Sequence, residues 1–120
     1  MNTKITGNAG ENKAAEYLKQ QGFSIIGRNF RTNAGEIDII ALKDDVVVFI
    51  EVKSLPNGTP ELLKTELNRR KLQRIVKTSK RFLLNHRQYS NSYVRYDVIV
   101  IDMPGMPEVY HIENAFMELL

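Results

Sequence analysis

The sequence predicts an α/β fold, with a mixed central sheet of about five strands flanked by helices on both faces. Three observations favour this fold class. The length of 120 residues is typical of one domain. Two consecutive strand patterns in residues 36–53 are apolar on both faces, as in strands that are covered on both sides. Helical patterns stand before and after them. We therefore expect residues 1–120 to form a single domain.

The composition excludes several classes of site. The chain has no cysteine, which rules out disulfides, thiolate zinc sites and thiol nucleophiles. The first residues do not form the apolar core of a signal peptide, and no segment approaches the roughly 18 apolar residues of a membrane span. We therefore expect a cytoplasmic protein without a membrane partner.

The first helix is predicted to begin near Asn8. Asn8 can cap it, with Glu11 three residues later completing a capping box. Gly22 is a suitable residue just after its end. Its apolar stripe is formed by Ala14, Ala15 and Leu18. A strand follows from about residue 23 to 31, and the turn 32–35 ends it.

The next segment is a hairpin with a defined register. Residues 36–42 and 46–53 read as strands, joined by the two-residue turn Asp44-Asp45. With that turn the numbers of opposed residues sum to 89, so Asp38 faces Glu51. Alternation places on one face Glu36, Asp38, Ile40, Leu42, Val47, Phe49, Glu51 and Lys53. It places on the other Ile37, Ile39, Ala41, Val46, Val48, Ile50 and Val52.

The remaining elements complete the α/β pattern. Residues 55–67 read as a loop in which Thr59-Pro60-Glu61 can start a short helix. A longer helix is predicted over 69–85, with Asn68 as its cap. Strands are predicted at 93–101 and, as a short edge strand, at 109–112, with a helical turn to finish. His86 and His111 are expected at the surface.

The facing carboxylates of Asp38 and Glu51 are the main candidate for chemistry. Like charges opposed across a hairpin are unfavourable unless a cation or a proton compensates them. The two side chains can instead converge on Mg²⁺ or Mn²⁺, with the backbone carbonyl of Val52 as a further ligand. Lys53 can then steady the attacking water or the developing phosphorane charge. The alternative is an ion-paired sheet end, with Glu36 bound to Lys53 and Asp38 to a neighbouring arginine.

The basic residues are unevenly distributed. Residues 67–96 contain no Asp or Glu, and this indicates a polyanionic partner. The stretch holds Arg69, Arg70, Lys71, Arg74, Lys77, Lys80, Arg81, Arg87 and Arg95. We expect Arg70, Lys71 and Arg74 to bind nucleic acid, and Arg28 and Arg31 to hold a phosphate. The alternative for each is an ordinary solvated charge.

Several motifs together resemble a known family. They are Gly-Glu-Ile-Asp-Ile-Ile at 35–40, Phe-Ile-Glu-Val-Lys-Ser at 49–54, Arg-Asn-Phe-Arg at 28–31 and Arg-Tyr-Asp-Val at 95–98. The first two resemble the D…(D/E)xK signature of restriction-endonuclease-like nucleases. Within that superfamily the chain resembles the YraN-like family of uncharacterised bacterial proteins over nearly its whole length. Leu55 departs from the arginine that the family often has there.

The resemblance implies a restriction-endonuclease-like fold and a metal-dependent nuclease site. We expect cleavage of DNA, with branched DNA as one option, or binding of nucleic acid without turnover as the alternative. Similarity to archaeal Holliday-junction resolvases would add Glu11 to the site and suit a homodimer; the capping box is the other interpretation of Glu11. Glu36 is a candidate second metal ligand. For Asp97 we favour a salt bridge to Arg95 or Arg28 over a ligand role.

Overall fold

The structure is a computed structural model that describes residues 3–118, with their side chains from residue 9 onward. The sheet is built from five strands and the layers around it from three α-helices, within these described residues. In chain order the elements are α1 (Thr3–Gln20), β1 (Ser24–Thr32), β2 (Gly35–Lys43), β3 (Val46–Ser54), α2 (Pro60–Glu66), α3 (Arg69–Asn85), a 3₁₀ turn (Arg87–Tyr89), β4 (Tyr93–Ile101) and β5 (Val109–Phe116). No helix within residues 3–118 is long and apolar enough to cross a bilayer.

The sheet is mixed and has the order β1-β2-β3-β4-β5. Strands β1, β2 and β3 form an antiparallel meander, β3 and β4 are parallel, and β4 and β5 are antiparallel. A parallel pair requires a crossover, and α2 and α3 supply it between β3 and β4. The architecture is compatible with a restriction-endonuclease-like fold, so the predicted fold class is confirmed.

Helices cover both faces of the sheet, as predicted. Helix α1 packs on one face against a core that includes Ile39, Ala41, Val48, Ile50 and Ile99. Helix α3 packs on the other face, where its Ile75, Val76 and Phe82 meet a core that includes Ile40, Val47, Phe49, Val98 and Val100. The alternation predicted for the hairpin is therefore confirmed along most of its length.

Ile37 is an exception to the predicted alternation, because it belongs to the core under α3 rather than to the core under α1. The β2–β3 pairing starts only at Ile39–Ile50, so the first residues of β2 follow β1 instead. Gly35 lies against Arg74 and Thr78, where an added Cβ would meet Arg74 Cβ at 3.3 Å. The first residues of β2 therefore lie close to α3, and the side chain of Ile37 packs into the core under that helix.

Three local predictions were wrong. Helix α1 begins at Thr3, so Asn8 lies inside it and is not its N-cap. Strand β5 continues to Phe116, where a helical turn was expected, because pairing with β4 extends to Tyr96–Phe116. The side chain of His111 is only 6% exposed rather than at the surface. Local sequence signals missed the tertiary partners that decide each case.

Other local predictions are confirmed. The side chain of Asn68 accepts the N–H of Lys71 at 3.0 Å and caps α3. Thr59 accepts the N–H of Leu62 and caps α2, with Pro60 in its first turn. The Asp44-Asp45 turn places Asp44 at a φ of 54°, a conformation that aspartate tolerates better than most residues.

Candidate active site

Asp38 is positioned where strands β2 and β3 separate. Their pairing runs from Lys43–Val46 to Ile39–Ile50. This is the predicted register, in which the numbers of two opposed residues add up to 89. One residue further, Asp38 Oδ2 accepts the backbone N–H of Val52 at 2.8 Å. The side chain of Asp38 therefore supplies β3 with an acceptor at the point where the backbone ladder ends. This bond fixes the direction of its carboxyl group.

A small cavity of about 140 Å³ contains Asp38 and Glu51 together. It lies between the start of β2, the end of β3 and the first turns of α3. Glu51 is only 4% exposed and Asp38 is half-buried. The described residues that line it are Gly35, Glu36, Asp38, Glu51, Lys71, Arg74 and Ile75. The structure thus brings together the two predicted carboxylates, the candidate ligand Glu36 and two of the predicted cations.

The environment of Asp38 disfavours its ionised form. Burial, followed by the hydrogen bond and the negative charge of Glu51, raises the pKa of Asp38 to about 9. The Val52 N–H acts in the opposite direction, and the charge of Glu11 adds a further small increase. At neutral pH and without a bound cation, Asp38 therefore retains a proton. The pair is arranged so that a cation can replace that proton.

Lys71 is the cation that reaches Glu51. Its Nζ lies 3.0 Å from Glu51 Oε2. Burial alone would lower the pKa of Lys71, but the negative charges of Glu51 and then Asp38 outweigh it and raise that pKa. The contact is an ion pair without good hydrogen-bond geometry, because the buried Oε2 of Glu51 has no hydrogen-bond donor within the described residues. The sequence predicted Lys71 to bind nucleic acid and contained no signal for its contact with Glu51.

Lys53 follows Glu51 by two residues on β3, pairs in register with Val100 of β4 and is half-buried. Lys53 is not among the described residues that line the cavity. The structure therefore places Lys53 near the site but gives Glu51 a different cation.

Glu11 approaches the same region from α1. It lies in the third turn of the helix rather than in its first turn, so the capping-box interpretation of Glu11 is wrong. Its side chain is 13% exposed, and its buried Oε1 has no hydrogen-bond donor within the described residues. Arg28 Nη2 lies 3.6 Å from that oxygen and donates to Asn12 Oδ1 at 2.8 Å. Glu11 is thus a fourth carboxylate in this region, close enough for its charge to act on Asp38 and balanced by Arg28.

Glu36 lines the cavity but has an arginine of its own. Arg31 Nη2 donates to Glu36 Oε2 at 2.8 Å. This replaces the Glu36–Lys53 pair that sequence analysis considered as the alternative. Arg31 and Arg28, the two predicted phosphate-binding arginines, are therefore each held by a glutamate.

Asp97 belongs to a different cluster, as favoured from the sequence. Arg95 donates to both of its carboxylate oxygens, at 2.9 and 2.8 Å, His111 Nε2 lies 2.7 Å from Oδ2 and the Asn114 N–H donates to Oδ1. Burial would raise the pKa of Asp97, but the contacts with His111, Arg95 and Asn114 outweigh it and lower that pKa. Tyr17 OH lies 3.0 Å from His111 Nδ1 and completes the cluster.

The residues present fit a hard divalent cation with few protein ligands. Within residues 3–118 no set of three or more histidine, aspartate or glutamate side chains is arranged to hold a metal ion. Mg²⁺ does not need one, because it keeps several waters and binds through one or two carboxylates. Asp38 and Glu51 supply two, and among the described residues the buried Oε2 of Glu51 has the Lys71 ion pair at 3.0 Å but no hydrogen-bond donor.

The basic helix lies beside this cavity. Arg74 lines it and Arg70 is exposed one turn earlier on α3. The sequence predicted that both bind nucleic acid. It gave no signal that the 32–35 turn packs against the same part of α3 through Gly35.

The chain is similar to proteins of one family. The sequence model of the family described as "Uncharacterised protein family UPF0102" matches residues 10–101. A UPF0102 protein of Treponema denticola is 40% identical over 92% of this chain and 93% of its own length. Others from Treponema pallidum and Persephonella marina are each 40% identical, over 98% and 93% of this chain and 96% and 93% of their own lengths.

Proposed function

The chain belongs to the UPF0102 family, the YraN-like family that its motifs resemble, and on this premise we propose that it is a metal-dependent nucleic-acid phosphodiesterase. Its site would be the cavity of Asp38 and Glu51, and the metal Mg²⁺ or Mn²⁺. The substrate would be DNA, including branched DNA.

One observation carries the proposal. Two carboxyl groups from adjacent strands share a small cavity. Burial and the nearby Glu51 raise the pKa of Asp38, so that Asp38 holds a proton when no cation is bound. Burial of such a pair costs several kcal/mol unless it is compensated, on the order of the penalties for buried charges. A site that binds a cation explains why the fold keeps this pair.

The residues around the cavity have separable roles in such a reaction. A bound divalent cation would polarise a phosphoryl oxygen and acidify a water molecule. Asp38, oriented by the Val52 N–H, and Glu51 would hold it, and Glu36 is a further candidate ligand. Lys71, once separated from Glu51, and Lys53 are the cations that would stabilise charge on the phosphate. Glu11 would act through its charge beside Asp38.

Cleavage of both strands of a duplex or junction requires two such sites. A homodimer would supply them, and we include it in the proposal for a branched substrate. The arginines 28 and 31 would contact phosphates after they leave Glu11 and Glu36, and Arg70 and Arg74 would do so directly.

The test is a cleavage assay on linear, flapped and four-way DNA and on RNA, with Mg²⁺ or Mn²⁺. Wild-type protein should cut at least one of them, and EDTA or Asp38→Ala should abolish cutting while binding persists. Asp45→Ala, which removes an exposed carboxylate from the β2–β3 turn, is the matched control. Undiminished cutting by Asp38→Ala refutes the site.

A second candidate function is binding of nucleic acid without turnover. The Lys71–Glu51 ion pair favours it, because a lysine already compensates one of the two carboxylates. The assay separates the two functions: a protein that binds DNA and Mn²⁺ but cuts none of the substrates is a binding module.

A further inference from the structure

We propose that a basic furrow leads out of the cavity along α3 and holds one strand of the nucleic acid by its phosphates. The basic furrow is the space between the β1–β2 turn (residues 32–35) and three cations of α3, Arg74, Lys77 and Arg81. The inference rests on the proposed function for what happens in the cavity, and it adds the path by which the substrate strand reaches or leaves it.

The furrow is continuous with the candidate active site. Next to the cavity of about 140 Å³ lies a space of about 390 Å³ that shares Gly35, Glu36 and Arg74 with it. Beyond that lies a third space of about 580 Å³. The second and third share the turn residues Thr32, Asn33 and Ala34. The three spaces therefore form one path from Asp38 to Arg81.

The charge of the furrow is positive along its length. Arg74, Lys77 and Arg81 follow the i, i+3, i+7 spacing and so lie on one side of α3. Among the described residues that line the two outer spaces, Glu36 is the single acidic one, and Arg31 pairs with it at 2.8 Å. Lys77 and Arg81 are exposed, and the helix that carries them has no acidic residue. A polyanion is the occupant that this charge fits.

The spacing and the lining favour a nucleic-acid backbone. From Lys71 to Arg81, ten residues of helix rise about 15 Å, which matches the axial rise of about four phosphates in one strand of a B-form duplex, at roughly 3.4 Å each. None of the described residues that line the two outer spaces is aromatic, so stacking on bases is not available there. Contacts with phosphate and sugar remain, and these carry no sequence information. Binding in the furrow should therefore be strongly salt-dependent and indifferent to sequence.

The experiment measures the affinity for short oligothymidylate and oligouridylate in EDTA, between about 50 and 200 mM salt. The test variant is Lys77→Gln/Arg81→Gln. The control is Lys19→Gln/Lys64→Gln, which removes the same charge from exposed positions at the end of α1 and on α2. Lys64 borders a cavity lined by β4 and β5 residues, at the opposite edge of the sheet from the β1–β2 turn. Melting temperatures confirm that all variants fold.

For wild-type protein we expect log K to fall linearly with log salt. The furrow variant should bind more weakly, with a slope that is less steep by about 1.4, or about 0.7 for each lost contact. The control should keep the wild-type slope. Equal losses in both variants, or an unchanged slope in the furrow variant, overturn the furrow.

The outcomes also separate this inference from the proposed function. If the furrow variant shows the expected change in salt dependence but the wild-type protein cuts no nucleic acid, the furrow is supported and the phosphodiesterase is rejected. Cutting by a protein whose furrow variant binds as wild type rejects the furrow alone. Absence of oligonucleotide binding by wild-type protein overturns the furrow, whereas the phosphodiesterase is decided by the cleavage assay alone.

Discussion

Lys71 Nζ lies 3.0 Å from the buried Oε2 of Glu51, so that α3 supplies the cation for a carboxylate of strand β3. A hard metal ion would need the same oxygen. Lys71 and the metal should therefore compete, and release of Lys71 on metal binding would free a positive charge at the mouth of the basic furrow. Several measurable consequences follow from this and from other contacts of the fold.

Removal of the competing lysine should strengthen metal binding. Lys71→Met leaves the buried Glu51 without its ion pair, so Mn²⁺ affinity should rise about tenfold, which corresponds to about 1.4 kcal/mol. The figure is modest because Lys71 is 39% exposed and its ion pair is partly screened. Calorimetric titration with Mn²⁺ measures it, with Lys77→Met as the control. Weaker binding in Lys71→Met would show that Lys71 supports the metal instead.

Asp38→Asn should stabilise the metal-free protein. The pKa of Asp38 is raised from 3.8 to about 9, so the folded state holds a proton that the unfolded state loses. Stability of the wild type therefore falls as pH rises between these two values. The asparagine variant avoids this loss and should be more stable by about 1–3 kcal/mol at about pH 8, and by less at about pH 5.

Thermal unfolding in EDTA at the two pH values checks this prediction, with Asp45→Asn as the exposed control. The difference between Asp38→Asn and wild type should widen with pH. A variant that is equally or less stable than wild type at both pH values contradicts the proton-holding carboxyl pair.

The Asp97 cluster should make stability fall in acid. The pKa of Asp97 is lowered in the fold, so its contribution is complete above its ordinary value of 3.8 and is lost as pH falls through the lower folded pKa. Asp97→Asn keeps the size but loses the charge that Arg95 and His111 contact. We expect it to cost about 2 kcal/mol at neutral pH and to flatten the acid limb of the stability profile.

Urea unfolding as a function of pH measures both effects. The control is Asp102→Asn. Asp102 pairs with Lys13 at 3.3 Å, and the side chains of both residues are 44% exposed. An Asp97→Asn variant with a wild-type acid limb would mean that the cluster does not depend on ionised Asp97.

Gly10 allows α1 to approach the end of β3. A Cβ at this position would overlap Ser54 Oγ and lie 3.5 Å from Ser54 Cβ, which is ordinary contact. Ser54 is exposed and its Oγ can rotate away from an added methyl group, so Gly10→Ala should destabilise the protein by only about 1 kcal/mol, the order of an unfavourable rotamer. In a Ser54→Ala background the overlap disappears, and the helix preference of alanine should restore most of the stability. A double-mutant cycle of unfolding free energies tests this, and additive effects would contradict it.

The sequence alone determined the layers of the fold and the register of the central hairpin. Strand residues alternate with a period of two, and a two-residue turn at Asp44-Asp45 leaves one pairing that keeps both faces apolar. That pairing fixed Asp38 beside Glu51 before any helix was placed. The Asn68 cap of α3 was equally local, because the cap and its N–H partner are three residues apart.

Tertiary structure decided what surrounds those carboxylates. Which cation reaches Glu51 depends on how α3 lies across the sheet, and its Lys71 reaches Glu51 although Lys53 is nearer in sequence. Burial of His111 likewise depends on Asp97 and Tyr17, residues 14 and 94 positions away. The basic furrow exists because the β1–β2 turn packs on α3. Periodicity specifies the face of an element, whereas contacts between elements depend on how the whole core packs.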